Sequence, residues 1–402
     1  MPIDIYVEYT LHDGQPVWTL QPERLEYSFQ LGSQGPSTMS HFVPLSEPTL
    51  TRSIVAPKRN DYMLKWTNDG AQTFLDLQGG FLWDAGFDSE EFGVQFAGVD
   101  WSAWLDNPFP QDREISQGAL LADKDLLTAA FIGLPTSAYD WENNGNGVNQ
   151  KVIIGDLIAA LEDGPDAIAF SVSFSGSNWV NVPGELEGLP GGETFTIGPF
   201  DVSPVRQHIA NISTLNDPWV PNFRCGPDKS LDFFFMKNKD PGLDIVPDFL
   251  VSDETVIHHI DWGHHGPIAT YVTGWGVGSM PKWFTSRDIE SEEKFRRWRS
   301  SHTLGSRGQV YLTREQIKKG TLAFADKFPQ KDLTLVIYPD KLDPINEETG
   351  FLNLCGYVID VDYFIDPVYM IFGVFYIISQ NFHVDVAGNW LCDLGLQQIY
   401  QF

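Results

Sequence analysis

The strongest constraint on this chain is that both of its ends are written in period two. Tyr62, Leu64 and Trp66 alternate and run into Asn68-Asp69-Gly70, a tight-turn signal. Phe74-Leu75-Asp76-Leu77 and Phe92-Gly93-Val94-Gln95-Phe96 continue the pattern. Far downstream Leu333, Leu335 and Ile337 alternate, and Ala387-Gly388-Asn389 joins His383-Val384-Asp385 to Trp390-Leu391-Cys392 as a hairpin. Alternation puts successive side chains on opposite faces of a strand, so both ends read as β-structure.

Between these ends the period changes. Residues 115–131 place Ile115, Leu120, Leu126, Leu127 and Phe131 at helical spacing, and 151–162 put Ile153, Ile154, Leu157, Ile158 and Leu161 on one face. Ile168, Phe170, Val172 and Phe174 return to period two, and 176–194 are Gly/Pro-rich and read as an exposed excursion. Thr285-x-x-Asp288 and Thr313-x-x-Gln316 fit capping boxes, ahead of a helical run at Lys294–Arg299 and another at 317–328. The chain therefore reads as a β-rich α+β multidomain protein. A first β-barrel domain spans 1–106 and an α+β insertion 107–249. A second barrel is made of 250–278 and 331–402 and interrupted by a helical insertion at 279–330.

The chain has 402 residues, 42% of them hydrophobic, enough for sizeable cores. A formal charge of −28 argues against a nucleic-acid-binding surface, since phosphate contacts come from Lys and Arg. The N-terminal residues carry no basic start or apolar core of a secretory leader. The longest apolar run, Val368 to Ile378, is well short of the ~20 residues of a spanning helix, so no membrane insertion is expected. Cys225, Cys355 and Cys392 are far apart and form no CxxC pair, which reads as reduced, buried thiols.

Chemical motifs are sparse. HHIDWGHHG holds four of the nine histidines, at His258, His259, His264 and His265. A turn at Asp261-Trp262-Gly263 would face one imidazole of each pair toward the other, but HExxH, a nearby Cys and a third ligand are all missing. These histidines are expected at an exposed hairpin tip, near a subunit contact, with no metal assigned. No GxSxG elbow, Walker loop or dinucleotide fingerprint is present, and Gly274-Trp275-Gly276-Val277-Gly278 reads as a tight turn. Asp100 beside Trp101 and Trp104, or Asp140 and Glu142 around Trp141, are candidates for the paired carboxylates of a glycosidase. A carbohydrate-active β-protein, glycosidase or lectin-like adhesin, is therefore the alternative reading. The basic run Lys294–Arg299 reads as an amphipathic helix packed through Phe295 and Trp298, its arginines paired with Glu290, Glu292 and Glu293. No catalytic residue and no cofactor follow from the sequence.

Three stretches together resemble a known family. LDLQGGFLWDAGFDSEEFGVQFAGVDWSAWLDNPFP (75–110) is similar to the end of the first barrel in tail hub proteins of long-tailed bacteriophages. FLVSDETVIHHIDWGHHGPIATYVTGWGVG (249–278) resembles a strand pair of their second barrel, and VYMIFGVFYIISQNFHVDVAGNWLCDLGLQQIY (368–400) their closing meander. The likeness extends to minor tail proteins of phages infecting actinobacteria. It implies a non-enzymatic virion protein, made in the host cytoplasm and placed at the tail tip as a homotrimeric hub. Its two barrels per chain would adapt a six-fold tail tube to a three-fold tip. Implied neighbours are a distal tail or tail tube protein, the tape-measure protein and other tail-tip proteins, with DNA passing through unbound.

Overall fold

A computed structural model of the chain describes residues 4–11, 16–20, 22–47, 60–68, 73–108, 139–141, 148–162, 168–179, 181–182, 195–197, 203–213, 219–237, 246–252, 257–265, 270–276, 283–287, 289, 292–293, 296–304, 330–342, 349–364 and 370–399. The helix expected at 115–131 and the segment around Thr313 lie outside these residues.

The first strands are β1 (Asp4–Thr10), β2 (Pro16–Leu20), β3 (Glu23–Gln30), β4 (Thr38–Pro44), β5 (Asp61–Thr67), β6 (Leu75–Asp88) and β7 (Gly93–Asp100). A 3-10 turn, Trp101–Asp106, leads into the middle of the chain. There lie β8 (Tyr139–Trp141), β9 (Val148–Asn149), helix α1 (Gln150–Leu161), β10 (Ser171–Phe174), β11 (Asn181–Val182), β12 (Phe195–Ile197), helix α2 (Val205–Ser213), β13 (Trp219–Cys225) and β14 (Ser230–Lys237). The remainder comprises β15 (Phe249–Ser252), β16 (Ile257–His265), β17 (Tyr271–Gly276), β18 (Trp283–Arg287), β19 (Arg299–Leu304), β20 (Gln330–Ile337), β21 (Val358–Phe364), β22 (Met370–Val384) and β23 (Trp390–Gln398).

Strands from both ends of the chain join in one thirteen-stranded sheet, and its order contains a repeat. The first set reads β1-β5-β6-β7-β4-β3 and the second β15-β21-β22-β23-β20-β16. Ranked by chain position, both are first, fourth, fifth, sixth, third, second. The repeat reaches local detail. β6 and β22 are the fifth strands of their sets and the longest strands among the described residues, at 14 and 15 residues. Each is bulged against its next neighbour, skipping Trp83 in one set and Ile378 in the other. A second bulge recurs between the second and third strands of each set, near Glu23/Glu26 and Ile257/His259. The sets differ where the first strand joins: β1 runs antiparallel to β5, whereas β15 runs parallel to β21.

The sets are joined through β3 and β22, with Ser379, Gln380, Asn381 and Phe382 opposite Gln30, Phe29, Ser28 and Tyr27. Phe382 stacks on Tyr27 with centroids 4.4 Å apart and planes at 6°. One continuous hydrophobic core runs through both sets, from Val7, Tyr62 and Phe96 to Leu335, Ile377 and Leu394. The expected strand texts of the two ends are all present, and the 387–389 turn closes with Asp385 N–H donating to Asn389 O at 2.9 Å.

A second core lies in the insertion. The face of α1 that carries Ile153, Ile154, Leu157, Ile158 and Leu161 is buried against Ile209 of α2 and Phe223, Leu231 and Phe233 of the three-stranded sheet β10-β14-β13. The helix expected at 151–162 is thus α1, and Asn149 caps it by accepting from Lys151 N–H.

Two local expectations are corrected. Thr285 does not start a helix: it lies in β18, opposite Thr273 of β17, in a three-stranded sheet β18-β17-β19. Arg299 opens β19 rather than extending a helix, and Trp298 is exposed; only Ile289, Glu292 and Glu293 are helical among the described residues nearby. Pairing with the β-rich Tyr271–Gly276 strand overrides the capping signal there.

Candidate functional site

The histidine stretch is not a turn. β16 runs unbroken from Ile257 to His265, with Asp261 opposite Thr334, Gly263 opposite Asp332 and His265 opposite Gln330. The ladder to β20 holds the backbone extended where the sequence suggested a hairpin tip. The bulge at the start of β16 breaks alternation there, so His258 and His259 are both exposed, and His258 Nδ1 meets the Tyr338 hydroxyl at 2.8 Å. Among the described residues no group of three His, Cys, Asp or Glu side chains is placed to hold a metal.

The carboxylate candidates fare differently from their sequence reading. Asp100 is buried: one oxygen accepts from Ser37 N–H at 2.9 Å, and the other from the Ser102 N–H at 2.9 Å and hydroxyl at 2.6 Å. Burial raises its pKa, and these hydrogen bonds oppose the rise. Its neighbours are tied to the interior: Trp101 is buried and donates to Pro227 O at 2.9 Å, and the half-buried Trp104 donates to Leu161 O at 3.2 Å and packs against the insertion core. Asp140 lies in β8 opposite Thr196, and Glu142 lies outside the described residues. Gly274 and Gly276 of the expected glycine turn belong to strand β17.

Asp100 belongs to a buried polar joint between sheet and insertion. Arg206 of α2 donates to Asp106 at 2.6 Å, to Ser102 O at 2.5 Å and to Gly32 O. Gly32 N–H in turn donates to Phe223 O at 2.8 Å. The buried groups of this joint, Asp100, Ser102 and Arg206, are turned on other parts of the protein, which makes it a clamp. A second buried titratable group, His41, shares a hydrogen bond between Nε2 and the Tyr9 hydroxyl at 2.5 Å, with Nδ1 3.1 Å from Met39 Sδ. Burial lowers its pKa to about 3, so the imidazole is neutral. The three cysteines are free and buried.

The basic run is likewise locally engaged. Arg287 and Arg297 both clasp Glu292, and their hydrogen bonds hold its carboxyl down to about 2. Arg297 and Arg299 lie over the Tyr271 ring, 5.9 and 5.6 Å from its centroid.

Among the described residues, an open sheet edge and exposed aromatic side chains face outward. Beyond Phe81, the last residue of β6 paired with β5, no strand among the described residues lies along that edge of β6. Trp83 and Phe87 are exposed there, Phe87 to 62%. β16 stands at one end of the sheet, with β20 on one side and no strand among the described residues on its other. The sequence reading missed β6 as a surface, because apolar residues in alternating text read as core. The signal in hindsight is that Phe87 stands among Asp84, Asp88, Glu90 and Glu91.

No protein-family model matches the sequence, and no curated protein matches it. Solved structures do share the fold. A tail protein from Neisseria meningitidis aligns over 99% of this chain and 97% of its own, with a TM-score of 0.57 and 14% identity. A 43 kDa tail protein of prophage MuSo2 from Shewanella oneidensis aligns over 98% of both chains, with a TM-score of 0.57 and 10% identity. A prophage tail protein from Listeria monocytogenes covers 98% of this chain and 94% of its own, with a TM-score of 0.51 and 10% identity. The fold of this chain is therefore the β-rich fold of phage tail proteins.

Proposed function

We propose that this chain is a structural subunit of a phage tail and that three copies form the hub of its tip. In this reading each six-strand set is one small barrel-like unit. The first unit occupies about 1–106 and the second about 249–265 with 330–402, while 107–248 and the segment between, with its β18-β17-β19 sheet, are insertions carried by the ring. Three copies then supply six similar units, and a threefold assembly can meet a sixfold tail tube. The observation that carries the reading is the recurrence of one strand order, with its bulges, in the two halves of the sheet. The likeness to tail proteins over nearly the whole chain supports it.

The role is mechanical. The hub joins the tail tube or distal tail protein to other tail-tip proteins and lets the tape-measure protein and DNA pass. A formal charge of −28 suits a passage that does not retain a polyanion. The reading assigns no catalytic residue, cofactor or membrane insertion. It places the protein in the virion after synthesis in the host cytoplasm, the host being an actinobacterium on the sequence resemblance. Sedimentation of the purified protein, with quantitative mass spectrometry of purified virions, tests it. The expected result is a particle of three chain masses and three copies per virion. A monomer that virions lack, or a free protein that cleaves chromogenic glycosides, contradicts it.

A further inference from the structure

The internal duplication, taken with the trimeric reading on which this step rests, specifies which edges of two copies meet. Phe81 of β6 and Tyr376 of β22 are each opposite the first residue of the fourth strand of their set, Asp61 and Val358. Counted from there, the bulged residues Trp83 and Ile378 coincide, and Asp84, Ala85, Gly86 and Phe87 correspond to Ser379, Gln380, Asn381 and Phe382. In the second set those four residues pair with β3. In the first set the same edge has no strand beside it among the described residues. The consequence shows in one pair of side chains. Phe382 is fully buried beneath Tyr27, while Phe87 is 62% exposed.

The missing neighbour is the counterpart of β3, and the ladders identify it. Asp84 is opposite Ala97, which is opposite Ser40, which is opposite Glu26. The matching row in the second set is Ser379, Gly395, Thr334 and Asp261. β16 therefore stands where β3 stands, with Trp262 at the position of Tyr27, Gly263 at that of Ser28, His264 at that of Phe29 and His265 at that of Gln30. Within the chain the outer edge of β3 is joined to β22. The outer edge of β16 has no strand along it among the described residues.

We propose that β16 of one copy adds to the outer edge of β6 of the next, antiparallel, repeating between chains the seam that β3 and β22 make within one. Phe87 then lies opposite Trp262, Gly86 opposite Gly263, Ala85 opposite His264 and Asp84 opposite His265. Strand addition satisfies the backbone groups of two open edges at once. The pairing places an aromatic residue opposite an aromatic residue, as at the internal seam, and an acid opposite an imidazole. Because the edges that meet are different, the contact is heterologous, and with 120° between successive copies it closes into a ring of three. Six seams result, three within chains and three between them, and HHIDWGHH is the strand that makes the latter.

Paired cysteines test the register. Gly86→Cys with Gly263→Cys in one chain places two thiols directly opposite across the seam, and a Cβ at Gly86 meets nothing within 4 Å. Under mild oxidation the double variant is expected to give covalent trimers, and a mixture of the two single variants covalent dimers. Gly86→Cys with His259→Cys, displaced along the strand, should stay uncrosslinked. Phe87→Asp should abolish the trimer while leaving the circular dichroism of the chain unchanged. A wild-type trimer in which Gly86 and Gly263 never crosslink, or which survives Phe87→Asp, overturns the edge assignment and leaves the trimeric reading standing. A wild-type protein that stays monomeric at high concentration overturns the trimeric reading itself.

Discussion

Phe87 and Phe382 occupy corresponding points on two strands with the same neighbours in the same order, and they end in opposite environments. The covering strand makes the difference: β3 lies over Phe382, and no strand among the described residues lies over Phe87. Burial in this sheet is thus decided by which edge is paired as much as by the strand's own residues. The two sets also differ inside. His41 stands in the first where Leu335 stands in the second, both fully buried, so the first set carries a buried imidazole where the second carries a leucine. Their insertions differ as well: the first set is clamped to its own through Asp100 and Arg206, whereas the β17–β19 sheet lies between β16 and β20 in the chain.

The comparison is broken most readily at its two phenylalanines. Phe382→Ala removes a ring stacked at the seam and should cost about 3–5 kcal/mol in denaturant unfolding. Phe87→Ala, in a chain dilute enough to be monomeric, should change stability by no more than about 0.5 kcal/mol. Equal losses would contradict the equivalence of the two strands with unequal cover.

A smaller effect comes from the buried imidazole. His41 has a folded pKa of about 3, below the ordinary value of 6.5, so the unfolded chain binds its proton first as pH falls. Its contribution is complete above pH 6.5 and is lost toward pH 3 at about 1.4 kcal/mol per pH unit, about 2 kcal/mol by pH 5. His41→Leu, which copies the second set, should flatten the stability profile over that range by this amount. Asp100 titrates in both proteins and cancels in the difference. An unchanged slope between pH 6.5 and 5 would remove His41 as its source.

The smallest effect distinguishes two glycines. An added Cβ at Gly98 meets the Tyr62 ring and Met39, both deep in the core, and Gly98→Ala should cost about 1–2 kcal/mol. At Gly395 the nearest atom is the Ser379 hydroxyl, which can rotate, and the corresponding residue of the first set is already Ala97. Gly395→Ala should stay under about 1 kcal/mol. Matched melting curves of the two variants would contradict this difference in what an added Cβ meets.

Much of the strand content was legible, because Tyr62/Leu64/Trp66 and Leu333/Leu335/Ile337 alternate and the 387–389 turn is short and local. α1 was legible from its buried face. The duplication was not: Val99-Asp100-Trp101 and Val361-Asp362-Tyr363 look alike, but the first ends the sixth strand of one set and the second lies in the fourth strand of the other. Strand order is a property of long-range pairing, and the two sets share an order with almost no shared residues. The 258–265 stretch misled for a related reason. Gly263 and Asp261 are turn residues by preference, yet their partners on β20 are what hold them extended. Exposure at Phe87 could not be read from β6, since it depends on a strand that is not its sequence neighbour.

The central claim is that each chain carries two equivalent units. Electron-microscopic reconstruction of the purified assembly, with no symmetry imposed, tests it most directly. The account predicts a ring whose sheet layer correlates with itself on every rotation of about 60°, while the layer formed by the insertions repeats only at about 120°. A sheet layer that repeats only every 120°, or an isolated chain with no ring, would contradict it.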